Sequence, residues 1–107
     1  MAAPVIEAGD CTVSGSNTAA ATWAVSHPAA SAGDLLIWNI AWDDSTDTTD
    51  VAEPAGPNSE VLSEINATPV ASNGTEVRGK CWWTICTGAW ARGTLTFTPA
   101  ASESWTA

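Results

Sequence analysis

The chain has 107 residues, which is enough for one domain with one hydrophobic core. Three basic residues stand against twelve acidic ones, so the formal net charge is −9 at pH 7. This charge disfavours binding to nucleic acid or to an anionic membrane surface, because both would repel the protein. The sequence therefore predicts a single domain over residues 1–107 that binds neither nucleic acid nor membranes.

Strand-forming and turn-forming residues dominate the composition. The chain has seven Trp and no Tyr, and short runs rich in Thr, Val, Ile and Trp alternate with Gly and Pro. No window keeps a 3.6-residue apolar period for three turns, which argues against an amphipathic helix. Short strands at roughly ten-residue spacing predict an all-β fold, an antiparallel β-sandwich of jelly-roll or immunoglobulin-like type. Most of the Trp side chains are expected to fill its core.

The N-terminal segment, residues 1–18, is predicted to be an arm or an edge strand. Before the central strand, the pattern predicts a strand at Pro4–Ile6, a second around Cys11 and Val13, a polar loop at Ser14–Asn17, and a strand at Ala19–Val25. The dipeptide His27-Pro28 ends the last of these strands, because proline lacks the N–H that a ladder bond needs. We interpret His27 as a structural residue of this turn, since no catalytic motif surrounds it.

The longest apolar run, Leu35 to Trp42, predicts the central strand of the fold. Gly33-Asp34 precedes the run and Asp43-Asp44 follows it, and both pairs are typical of turns. By the two-residue period of a strand, one face carries Leu36, Trp38, Ile40 and Trp42. The run is apolar on both faces at its start, which predicts an interior strand of a packed sheet.

An acidic loop from Asp43 to Asp50 follows the central strand. Its carboxylates belong to Asp43, Asp44, Asp47 and Asp50. Calcium binds about six to eight oxygens, so these residues are a candidate calcium site. Their spacing lacks the EF-hand pattern and contains no glycine, which favours the alternative of a solvated loop without metal. No other cofactor is expected.

Three further strands are predicted in the second half of the chain. They cover Val61–Ile65, Glu76–Cys86 and Thr94–Thr98, and Asn73-Gly74 predicts a hairpin before the second of them. In the third strand, Leu95 and Phe97 alternate with threonines and are expected to point inward.

The strand from Glu76 to Cys86 carries large side chains on both faces. Four residues are predicted to point into the core, namely Val77, Cys81, Trp83 and Ile85. Four others are predicted to face solvent or a partner, namely Arg78, Lys80, Trp82 and Thr84. The second set contains two of the three basic residues of an acidic chain, which favours the polar assignment.

The predicted partner-binding residues follow from that polar face. They are Arg78, Lys80, Trp82, Trp90 and Arg92. The basic side chains are suited to an acidic partner, although intramolecular pairing with nearby carboxylates is an equal alternative. A second hypothesis groups Trp42, Trp82 and Trp90 as an exposed platform on which sugar rings stack. Contact of Trp82 with a neighbouring subunit and packing within the chain are the alternatives to that platform.

Nothing in the sequence predicts an enzyme, and no catalytic residue is assigned. Glu60 and Glu64 would lie about 13 Å apart on a strand, which exceeds the separation used by either glycosidase mechanism. Cys11, Cys81 and Cys86 have no zinc-site spacing, and they are interpreted as reduced thiols.

A family resemblance is visible in the order of several short motifs. Ser26-His27-Pro28, Ala32 to Ile37, Pro54-Ala55-Gly56, Cys81-Trp82-Trp83, and Thr94 to Thr98 with Trp105-Thr106-Ala107 follow one another along the chain. Together they resemble a β-sandwich module that recurs in virion proteins of tailed phages and in related bacterial proteins. The resemblance covers roughly residues 19–107, and Pro57 stands where that module usually has Trp.

The resemblance implies a non-enzymatic structural part of a virion, such as a capsid decoration protein, a head fibre or a tail component. Its partners would be capsid or tail subunits, the chain would form a homo-oligomer, and it would be made in the bacterial cytoplasm. It also implies that Trp105 begins a strand that the family continues, so that a longer chain or a neighbouring subunit covers the sheet edge. A carbohydrate-binding or adhesin module, of a tail fibre or a secreted enzyme, is the alternative.

Overall fold

Nine β-strands and no helix make up the regular structure of the described residues. The computed structural model describes residues 12–43, 50–66, 70–72 and 77–107. Its strands are β1 (Gly15–Ala20), β2 (Trp23–His27), β3 (Leu35–Asp43), β4 (Val51–Ala52), β5 (Ser63–Glu64), β6 (Val70–Ser72), β7 (Val77–Ile85), β8 (Gly93–Pro99) and β9 (Glu103–Thr106). No helix in this part of the chain is long and apolar enough to cross a membrane.

The strands form two antiparallel sheets. The larger sheet has the order β1-β9-β3-β7-β5, and β6 also pairs with β7. The smaller sheet has the order β2-β8-β4. All pairings between strands are antiparallel, and the two sheets face each other across one core. The predicted all-β antiparallel sandwich is confirmed.

The central strand is confirmed as an interior strand of the larger sheet. Strand β3 lies between β9 and β7, and its nine residues pair with β7 in unbroken register from Leu35↔Ile85 to Asp43↔Val77. Its inner face buries Trp38, Ile40 and Trp42, which the two-residue period predicted. Leu36 lies on the same face and is half-buried.

Aromatic side chains fill the space between the sheets. Trp82 of β7 contacts Phe97 of β8 with ring centroids 4.9 Å apart. Trp23 of β2 contacts both Trp42 of β3 at 5.5 Å and Trp105 of β9 at 5.8 Å. Each such pair contributes about 0.5–1.5 kcal/mol beyond the area it buries. Because these pairs join the two sheets, they hold the sandwich together, and six of the seven Trp are buried as predicted.

The start of the described chain differs from the prediction. The segment expected as a polar loop, Ser14–Asn17, lies largely in β1, and the expected strand Ala19–Val25 is divided between β1 and β2. Strand β1 pairs with β9 at the far end of the chain, so its partner lies outside any local sequence window. Among the described strands, β1 is an edge of the larger sheet. The predicted strand at Pro4–Ile6 falls outside the described residues. Of the strand predicted around Cys11 and Val13, Cys11 also falls outside them, and Val13 lies before β1 in no strand.

Two later predictions hold and one is too long. Strand β8 contains the predicted run Thr94–Thr98, with Leu95 and Phe97 buried. Strands β6 and β7 pair antiparallel on either side of Asn73-Gly74, as a hairpin requires, although residues 73–76 themselves lie outside the description. The strand predicted at Val61–Ile65 shortens to β5, because only Ser63 and Glu64 pair with β7.

Candidate functional site

The two faces of β7 are the reverse of the prediction. Lys80 and Trp82 are 1% and 0% exposed, whereas Val77, Trp83 and Ile85 are 44%, 39% and 45% exposed. Alternation divided the residues into the correct two sets, but the wrong set was assigned to the core. Both sets carry large apolar side chains, so the choice depends on which face meets Phe97 of the opposite sheet.

The inward position of Lys80 depends on two carboxylates. Its ammonium lies 3.0 Å from Asp50, which precedes β4 of the smaller sheet, and 2.9 Å from Glu64 of β5. It also lies 5.5 Å from the ring centroid of Trp82, a favourable cation–π contact. Burial favours the neutral amine, but the hydrogen bonds and charges of Glu64 and Asp50 outweigh this effect and raise the pKa of Lys80. Lys80 therefore links the two sheets with its charge compensated.

The five predicted partner-binding residues do not form one exposed patch. They are Arg78, Lys80, Trp82, Trp90 and Arg92. Three of them are buried, namely Lys80, Trp82 and Trp90. Arg78 is half-buried on the inner side of β7, and Arg92 is exposed just before β8. The prediction of a solvated basic and aromatic face on β7 is wrong, because that face packs against the smaller sheet.

The predicted aromatic platform is also absent from the surface. Trp42, Trp82 and Trp90 are each at most 2% exposed, so a sugar ring has no access to them. The ring centroid of Trp90 lies 5.9 Å from that of Trp38 and 5.1 Å from that of His27, which it meets edge-on. His27 is itself buried as the last residue of β2, where its Nδ1 lies 2.9 Å from the carbonyl of Pro28. These rings belong to the core.

The calcium candidate is only partly within the described residues. Asp44 and Asp47 fall outside them, and Asp43 is exposed at the end of β3. Asp50 accepts hydrogen bonds from Lys80 and from the backbone N–H of Val51. The described residues contain no group of three or more His, Cys, Asp or Glu that could hold a metal ion. The calcium site stays a prediction.

A buried carboxylate whose structural role the sequence did not indicate organises the loops beside the core. Glu60 is 5% exposed and accepts hydrogen bonds from the backbone N–H of Asn58 at 2.9 Å and of Thr87 at 3.1 Å. The indole N–H of Trp90 donates to it at 2.9 Å. Burial alone would raise the pKa of Glu60, but these donors outweigh that effect and hold the pKa far below its ordinary value. Because its acceptor capacity is used by these loops, Glu60 acts as a structural anchor.

The thiols have two different environments. Cys81 and Cys86 are free, as predicted, and Cys11 lies outside the described residues. Cys86 is buried, and burial together with the charges of Glu60 and Asp34 raises the pKa of its thiol. Cys81 lies on the outer side of β7 and donates a hydrogen bond to Asn39 Oδ1 at 3.3 Å.

An apolar cluster on the outer side of the larger sheet is the most distinctive surface feature. We call it the ridge, and its members are Leu35, Ile37, Trp83 and Ile85, which are 50%, 61%, 39% and 45% exposed. They form two directly opposed cross-strand pairs, Leu35↔Ile85 and Ile37↔Trp83. Soluble monomers rarely expose large apolar side chains as one contiguous patch, so this cluster indicates an interaction surface.

Beside the ridge, the same two strands form a shallow depression, which we call the hollow. It has a volume of about 290 Å³ and is lined by Asn39, Ala41, Asn66, Val77, Arg78, Gly79 and Cys81. Ala41 and Gly79 are directly opposed and leave little side-chain volume above the sheet. The outer positions of β3 and β7 are uncharged apart from Asp43 at the end of β3. The ridge and the hollow together are the outer face.

Comparisons with known proteins add no relative: no family model, no curated protein and no solved structure matches the chain. The fold class is therefore defined by the structure, as an antiparallel β-sandwich whose larger sheet has an apolar, nearly uncharged outer face.

Proposed function

We propose that this chain is a non-enzymatic structural protein of a phage virion, a capsid decoration protein or a head fibre component. The observation that carries the proposal is the outer face. A sandwich that exposes Leu35, Ile37, Trp83 and Ile85 together suits attachment to other protein subunits. The order of motifs shared with the phage module supports the same assignment, and capsid or tail subunits are the partners it favours.

The distribution of charge supports docking through this face rather than another. The net charge of −9 disfavours contacts between copies through acidic surface, because like charges repel. The outer face is where that repulsion is weakest, since Asp43, at the end of β3, is the one charged residue at the outward positions of β3 and β7. Burying its apolar side chains would contribute about 25 cal/mol per Å² removed from water. Attachment to a shell requires such a contact and no catalytic group.

Trp83 favours the alternative, a carbohydrate-binding or adhesin module, because it is the one half-exposed Trp. Its cross-strand partners are Ile37 of β3 and Ser63 of β5, however, and sugar sites combine a stacking ring with several polar groups that bind hydroxyls, whereas Ser63 offers one. The neighbours of Trp83 on the ridge are aliphatic. This environment favours a protein partner over a glycan.

The proposal is tested on purified virus particles from the source that encodes the chain. We expect quantitative mass spectrometry to find the protein in intact particles at a fixed number of copies. Many copies per particle would identify a decoration protein, and a few would identify a fibre or tail component. Absence from the particles would overturn the proposal.

A binding experiment locates the contact and tests the alternative. Purified chain added to particles that lack it should bind, and Ile37→Glu should weaken this binding at least tenfold. Thr96→Glu, which places the same charge on the outer side of the smaller sheet, is the matched control and should bind normally. Glycan binding that disappears in Trp83→Ala would instead support the carbohydrate-binding module.

A further inference from the structure

We infer that the outer face binds the same face of a second copy of this chain, so that the protein forms a two-fold symmetric dimer. The inference rests on the proposed function, in which the outer face binds protein subunits, and it deepens that function by making the bound subunit a second copy, so that the dimer attaches to the shell through its other surfaces. Three properties of the outer face support it: its charge, its size and its shape.

The charge of the chain excludes most other ways in which two copies could meet. Each copy carries a net charge of −9, so a contact through acidic surface would bring like charges together. On β3 and β7, the outward positions from Leu35 to Ala41 and from Gly79 to Ile85 carry no charged side chain. Over this range two outer faces can therefore approach without burying an unpaired charge, which would cost several kcal/mol. Asp43 lies just beyond the range, at the exposed end of β3 and thus at the rim of the contact.

The larger sheet has the area of a small, reversible dimer interface. Strands β3 and β7 have nine residues each, which corresponds to a length of about 30 Å. The neighbouring strands β1, β9 and β5 are shorter, with six, four and two residues, so at about 3.3 Å per residue and about 4.8 Å per strand the five strands cover about 480 Å². This area is below the roughly 800 Å² per partner of a standard interface and lies in the range of weak, reversible contacts.

The shape of the outer face is complementary to itself. The opposed pair Asn39 and Cys81 lies between the ridge and the hollow. Two positions along the strands in one direction lie the large side chains of Ile37 and Trp83. Two positions in the other direction lie the small residues Ala41 and Gly79. The large and small side chains are thus placed at equal distances from a common centre.

A two-fold axis through that centre brings the large side chains over the small ones. The axis lies between the two copies, parallel to the sheets and perpendicular to the strands, at the level of Asn39 and Cys81. Rotation about it places Trp83 over the second copy's residue 79 and Ile37 over residue 41, in both directions at once. The ridge of each copy then fills the hollow of the other. An unrelated partner would not require this symmetry.

Sedimentation of the purified full-length chain tests the dimer. We expect a reversible equilibrium between the monomer and a species of twice its mass. Ile37→Glu should weaken this association at least tenfold. Thr96→Glu adds the same charge to the outer side of the smaller sheet and should leave the equilibrium unchanged. A monomer at all concentrations would overturn the inference, and so would a dimer that persists in Ile37→Glu with the native circular dichroism spectrum.

A second variant tests the fit of ridge and hollow without adding charge. A Cβ atom at Gly79 would have one ordinary contact, 3.6 Å from the carbonyl oxygen of Ile40, so the fold accommodates a side chain there. Gly79→Val fills part of the hollow and should weaken the dimer at least tenfold while leaving the spectrum of the fold unchanged. An undiminished dimer in this variant would contradict the proposed register.

Cross-linking locates the symmetry axis. Facing sheets pack about 10 Å apart, so the two Cys81 thiols near the axis should react with one bis-maleimide of about that length. In a Cys11→Ser background we expect efficient cross-linking that Cys81→Ser abolishes, since the remaining Cys86 is buried. No cross-linking of a dimer that sedimentation detects would place the axis elsewhere.

These measurements separate the inference from the proposed function. The dimer is measured on the purified chain alone, whereas attachment is measured on virus particles. A dimer that is absent from particles would overturn the proposed function and leave the inference intact. A chain that binds particles as a monomer would overturn the inference and leave the proposed function intact. The outer face would then be assigned to a shell subunit.

Discussion

The outer surfaces of the two sheets differ although both sheets cover the same core. The smaller sheet presents small and hydroxyl-bearing residues outward, namely Ala24, Ser26, Thr94, Thr96 and Thr98. The larger sheet presents Leu35, Ile37, Trp83 and Ile85 outward. The smaller sheet follows the usual pattern of an antiparallel sheet, with apolar residues inside and polar residues outside. The larger sheet is apolar on both sides over half its length.

This difference teaches that the outward residues of the larger sheet are not required by folding. The smaller sheet shows that threonine on the solvent side is sufficient for a stable strand in this molecule. Large apolar side chains at the equivalent positions of β3 and β7 are therefore free to serve the contact between chains that we propose. The following predictions test the contrast between inner, outer apolar and outer polar positions.

The largest effect is expected from neighbouring tryptophans on opposite sides of β7. Trp82→Ala removes a fully buried ring that contacts Phe97, and we expect a loss of about 3–5 kcal/mol in the free energy of unfolding. Trp83→Ala should cost less than about 1 kcal/mol, because that ring is half-exposed. Urea denaturation, followed by fluorescence at the lowest protein concentration that the signal permits, measures both losses. Equal losses would mean that the outer ring is also part of the folding core.

The next effect concerns the ion pairs between the sheets. Lys80→Met leaves the carboxylates of Asp50 and Glu64 without their cation, and we expect a loss of about 1–3 kcal/mol. The loss is moderated because Asp50 and Glu64 are 58% and 31% exposed, so water solvates them. The raised pKa of Lys80 also predicts that wild-type stability falls as the pH rises above about 10.5. Denaturation at neutral and alkaline pH measures both effects, and Arg92→Met is the exposed control.

A smaller effect is expected from Glu60, the buried carboxylate that anchors the loops beside the core. The lowered pKa of Glu60 means that the unfolded chain takes up a proton before the folded chain does, so the free energy of unfolding falls as the pH drops below about 4.5. Glu60→Gln should reduce stability at neutral pH and make this acid dependence shallower. Denaturation curves across this pH range measure both effects, with Glu53→Gln as the control. An unchanged slope would show that Glu60 does not carry the acid sensitivity.

The smallest effect on stability is expected from substitutions at outward positions, and the two outer surfaces should differ instead in self-association. Ile37→Thr and Thr96→Ile exchange one residue type between the larger and smaller sheets, and each should change the free energy of unfolding by less than about 0.5 kcal/mol. Sedimentation should nevertheless show weaker self-association for Ile37→Thr and none of that weakening for Thr96→Ile. Identical behaviour of the two variants would remove the contrast between the surfaces.

Alternation along each strand was readable from the sequence because it depends only on local backbone geometry. Together with the longest apolar run it predicted the inner face of the central strand β3, and it correctly placed Leu95 and Phe97 on the buried face of β8. The burial of six of the seven Trp was predictable for a related reason, since large apolar side chains gain most from leaving water.

Only the tertiary structure decided which side of β7 is buried, because both sides carry side chains that a core accepts. Trp82 lies inside because its ring packs against Phe97 of the opposite sheet. Lys80 lies on the same face because the carboxylates of Asp50 and Glu64 compensate its charge. Likewise, β1 required its distant partner β9. The sequence by itself thus determined the fold class and the division of β3, β7 and β8 into two faces, which depends on local properties. The orientation of those faces, and with it the outer face, followed from contacts between residues far apart in the chain.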